Sequence, residues 1–139
     1  MTAEHSAYWD DLAEDLQDPE FLRHYVVESI RIATIDRIVN ELDEARDAAD
    51  LLKAALARAI SADPAVVRRL FSAKHVNPTL GTLAEVAAAL GMRITLEPLP
   101  PAERKSVTEP LLDGRAADTQ ALAQHLSELR NGTSRSAAA

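Results

Sequence analysis

Arg68 and Arg69 stand side by side between two apolar residues, Val67 and Leu70, in the stretch PAVVRRLF. A helical period turns Val67 and Leu70 inward and both guanidinium groups outward. Each guanidinium is a planar fork of donors that pairs bidentately with a guanine edge or a phosphate. Taken alone, an arginine pair on a helix is a solvated surface, and lone lysines or a loop histidine carry no information. Other chemistry finds little footing. His5, His24, His75 and His125 lie on separate segments with no HExxH pairing and no cysteine, so no metal site is expected. No Gly-rich phosphate loop or G-x-S-x-G elbow occurs, and the carboxylates fall at helix-surface spacing. No catalytic residue and no cofactor are expected.

The elements that must carry the arginines can be read locally. Leu56, Ala57 and Ile60 give one apolar stripe, on a helix expected from about Leu52 to Ile60. Ser61 and Ala62 break it. Asp63 then suits an N-cap and Pro64 the first position of a second helix, which runs through Phe71 and yields before Pro78. Two short helices meeting at a tight turn form a helix-turn-helix, the unit that places one helix in the DNA major groove. Thr79 or Thr82 can cap a further helix over Leu83 to Leu90 that stops at Gly91. In MRITLEPLP, Ile94, Leu96 and Leu99 alternate with Arg93, Thr95 and Glu97, which predicts a short strand. A lone strand leaves backbone groups unpaired, and its simplest partner is the same strand of a second copy.

Upstream, Tyr8, Trp9, Leu12, Ala13 and Leu16 predict a short amphipathic helix ending before Asp18 and Pro19, which suit the cap and first position of the next. From Phe21 to Leu42 the apolar period continues to about Asp47, as one long helix or two broken near Thr34. This stripe reads first as core, with a docking face for a partner protein or second subunit as the alternative. After Pro101 the period is lost until DTQALAQHLSELR, one short helix, and residues 131–139 are expected to be disordered. The organisation is thus an acidic N-terminal helical extension (1–33), a helix-turn-helix domain with a terminal strand (34–99), and a polar C-terminal tail (100–139).

With 139 residues, abundant Ala and Leu, few Gly and few aromatics, the chain reads as one all-α domain. The absence of cysteine, of a signal-like N-terminus and of a long apolar run points to a reducing, cytoplasmic, non-membrane protein. A net charge of −7 argues against nucleic acid until it is divided. Residues 1–50 carry 14 acidic and 4 basic groups, whereas residues 51–95 carry 2 acidic and 6 basic ones. Screening over about 8 Å lets a basic face act independently of distant acidic groups.

Residues 42–97 resemble the XRE-type helix-turn-helix family, which includes phage repressors and Cro proteins. NPTLGTLAEVAAALGMRITLEPL is similar to the ending of antitoxins of the host-inhibition-of-growth type. WDDLAEDLQDPEFLRHYV resembles the N-terminal helices of that group, in which Leu-x-Asp-Pro-Glu-Phe recurs. The resemblance implies a five-helix DNA-binding domain with extra N-terminal helices and a short C-terminal strand, dimerisation on a two-fold operator, and transcriptional repression. It implies backbone phosphate contacts for Lys53, Lys74, His75 and Asn77, a base contact for Arg69 with Arg68 beside it on phosphate or a flanking base, and only apolar contact from Pro64 and Ala65, as to a thymine methyl. The sequence departs from the family at Ser61 and Ala73, where glycine is usual, at Phe71, where glutamate is usual, and in a longer loop before Asn77. The alternative function is that of an antitoxin whose acidic front half covers a small basic ribonuclease toxin. A third is ligand or metal sensing by residues 100–139.

Overall fold

The computed structural model describes residues 3–72 and 76–138, with side chains described for residues 7–72 and 76–130. Seven helices form among them: α1 (Ala3–Asp15), α2 (Pro19–Ala48), α3 (Lys53–Ala59), α4 (Pro64–Ser72), α5 (Leu80–Ala89), α6 (Pro101–Asp113) and α7 (Thr119–Ala138). The chain is all-α, and α2 passes Thr34 without a break. It divides into two compact units, one of residues Thr34–Leu96 and one of Met1–Ala33 with Glu97–Ala139.

The first of these units consists of the second half of α2 with α3, α4 and α5. Val39 and Leu42 of α2, Leu56 and Ala57 of α3, Val67 and Leu70 of α4, and Leu83, Val86 and Ala87 of α5 form its buried core. These residues recur at helical spacing on each element, so every helix buries one stripe and leaves the opposite face to water. The starts are set by local chemistry. Asp63 Oδ1 accepts from the Ala65 N–H at 2.8 Å, with Pro64 as first residue of α4. Thr79 Oγ1 accepts from the Thr82 N–H at 3.1 Å at the head of α5.

The ends of α2, α3 and α5 share one device, a residue with positive φ followed by a residue whose N–H reaches back into the last turn. After α5, Gly91 has φ 73° and the Met92 N–H bonds the Ala87 carbonyl at 2.7 Å. After α2 the left-handed residue is Asp50, φ 54°, and Leu51 bonds the Arg46 carbonyl at 3.1 Å. After α3 it is Ser61, φ 56°, and Ala62 bonds the Ala57 carbonyl at 2.9 Å. Glycine carries no steric penalty in this region, while serine does. Ser61→Gly is therefore expected to leave stability unchanged or raise it by up to about 1 kcal/mol, the relief of strain being partly offset by unfolded-chain entropy. Gly91→Ala is expected to lower it by about 1 kcal/mol through φ alone, since an added Cβ meets nothing within 4 Å. Urea denaturation of both variants checks the signs.

In the second unit, Leu12 and Leu16 of α1, Leu22 and Val26 of α2, and Leu122, Ala123 and Leu126 of α7 close one core, with Trp9, Phe21, Tyr25 and Leu111 packed on it. Asp18 accepts from the Glu20 N–H at 3.3 Å and Pro19 opens α2. On α6, Val107 and Pro110 are buried. Its end is held by Arg23, whose Nε donates to the Leu111 carbonyl at 3.2 Å, and by Gly114, φ 72°, where an added Cβ would lie 3.0 Å from Arg23 Nη2. Arg130 of α7 donates to the fully buried Ser29 Oγ at 2.7 Å and lies 5.3 Å from the centre of the Tyr25 ring.

Burial pushes the Tyr25 phenol above its ordinary pKa of 10.0; Tyr8 adds to the rise and Arg130 opposes it. A raised folded-state pKa means stability that is present below pH 10 and lost as pH climbs through the raised value. The alkaline loss of stability should be shallower in Tyr25→Phe than in the parent, measured by urea unfolding from pH 8 upward at matched salt.

Three expectations need correction. Residues 92–100 form no strand, because a strand needs a second one to pair with its backbone and no described segment makes that ladder; Ile94 packs on the core instead, and Leu96 is 98% exposed. The segment after Pro101 holds two helices in place of one short one. Helix α7 also continues through 131–138, where composition predicts disorder.

Candidate nucleic-acid interface

Helices α3 and α4 are joined by residues 60–63 and pack against each other through Leu56, Ala57, Val67 and Leu70. With Val67 and Leu70 buried, the 100° step between successive residues places Ala65, Arg68, Arg69 and Ser72 on the opposite side of α4, with Pro64 at its edge. Arg68 and Arg69 are both exposed, as the sequence pattern requires. Among the described residues neither guanidinium is engaged in an ion pair. Both forks are thereby left to solvent. Ser72 donates its hydroxyl to the Arg68 carbonyl, which ties the last turn to the one bearing the arginines.

The remaining sequence-derived positions are placed unevenly. Pro64 and Asn77 are exposed, Ala65 and Lys53 are half-buried, and Lys74 and His75 lie outside the described residues. Lys53 opens α3 behind Leu52, which supplies no side-chain cap.

The charge carried by α3 and α4 themselves is one-sided. Neither α3 (KAALARA) nor α4 (PAVVRRLFS) contains an acidic residue. Asp63 is the nearest carboxylate in sequence, and its Oδ1 is occupied by the α4 cap. The charged side chains on the outer face of α4 are Arg68 and Arg69, and Arg58 of α3 is exposed on the adjoining helix.

Sequence reasoning missed Arg46. Its Nε donates to Asp43 at 2.9 Å, Nη1 donates to the Leu51 carbonyl at 2.8 Å, and its guanidinium lies 5.8 Å from the centre of the Phe71 ring. One side chain thus ties the end of α2 to the residue leading into α3 and to the last turn of α4. Cation–π geometry gives Phe71 a cationic partner at the end of α4. The missing signal was positional: Arg46 and Phe71 belong to different helices, and no local spacing joins them.

Among the described residues no cluster of three or more His, Cys, Asp or Glu could hold a metal ion, and no helix is long and apolar enough to cross a membrane. The geometry therefore defines a small helical unit with a cationic, solvent-facing helix propped on its neighbour. Comparison of the chain with protein-family models, with curated proteins and with solved structures finds no match.

Proposed function

We propose that this chain is a sequence-specific double-stranded DNA-binding transcriptional regulator, a repressor of the XRE helix-turn-helix type, acting as a homodimer on a two-fold operator. The observation that carries the reading is the outer face of α4, where Arg68 and Arg69 are exposed over a buried Val67 and Leu70 with no carboxylate on α3 or α4. In this reading Arg69 reads a base edge, and Arg68 contacts phosphate or a flanking base. Pro64 and Ala65 meet base methyls, and Lys53, Lys74, His75 and Asn77 hold the backbone. Residues 93–97 pair with the same segment of a second copy, which would complete the ladder that a single chain leaves open and cover Leu96.

Selection of bound fragments from genomic and random duplexes, followed by anisotropy titration across a salt series, tests this. An enriched two-fold motif whose binding falls steeply with salt is expected. A pool with no enriched motif would remove the proposal.

A second reading is supported by α1, whose Asp10, Asp11, Glu14 and Asp15 are all exposed. In it the protein is an antitoxin whose acidic front half neutralises a small basic ribonuclease, with DNA binding used for autoregulation. Titration with the product of an adjacent small basic reading frame separates the two: no complex at micromolar concentration removes the antitoxin.

A further inference from the structure

We draw no further inference here: the strongest candidate, the apolar surface patch at the head of α5 and beyond its end, where Leu80, Met92 and Leu96 are exposed, belongs in part to the dimer contact already proposed and otherwise has nothing in the structure to show what covers it.

Discussion

Arg69→Ala is expected to reduce discrimination between the selected duplex and random duplex by about 1–3 kcal/mol, the loss of one bidentate base contact. The side chain is exposed on the face of α4 opposite Val67 and Leu70, so its removal leaves the core intact. Thermal unfolding should accordingly stay within about 0.5 kcal/mol of the parent. Arg68→Ala should behave differently. A phosphate contact is blind to sequence, so its loss weakens binding to all duplexes alike and lowers the slope of log K against log salt by about 0.9. Arg69→Lys keeps the charge but not the fork, and should restore much of the affinity without the discrimination. Anisotropy titrations of the variants against both duplexes across a salt series check all of this. Unchanged discrimination in Arg69→Ala would sink the base-reading role and shift attention to Arg68.

Leu126→Ala is expected to destabilise the unit built from both chain ends by about 2–5 kcal/mol, the cost of a buried Leu→Ala cavity. Leu126 is fully buried in the core that α7 shares with Leu12 and Leu16 of α1 and Leu22 and Val26 of α2. Against a total stability of about 5–15 kcal/mol for a small protein, this is a large fraction. Leu112→Ala is the control. That residue sits on α6 but is 77% exposed, and its truncation should fall within about 0.5 kcal/mol. Urea unfolding gives the magnitudes, and amide hydrogen exchange should place the opening in α1 and α7. If Leu126→Ala were as mild as Leu112→Ala, the C-terminal helices would be appendages to the unit.

The legible part of this protein is its local chemistry. Asp18 with Pro19, Asp63 with Pro64, Thr79 and Gly91 punctuate the helices where short-range hydrogen bonds and φ preferences demand. The alternation of Val67 and Leu70 with Arg68 and Arg69 orients α4 before any neighbour is known. The family resemblance adds an operator, a dimer and a toxin partner to that reading, all of which stand as proposals. Ser61 was visible as a departure from glycine, but not that it holds φ 56° in the same motif that Gly91 closes.

Tertiary structure decided the rest. The polar run after Pro101 has no helical period because α6 buries only Val107 and Pro110 along a narrow line, and the Leu111 carbonyl is held by Arg23, some ninety residues earlier in the chain. Arg130 meets Ser29 and Tyr25 across a similar separation, and Arg46 finds Phe71 from another helix. Residues 92–100 alternate as a strand does, yet form none without a neighbour. Helix starts, stops and outward faces follow from contacts within a turn or two of the chain. Which distant segments close a core, and which side chains meet across it, depends on loop closures whose partners no local window contains.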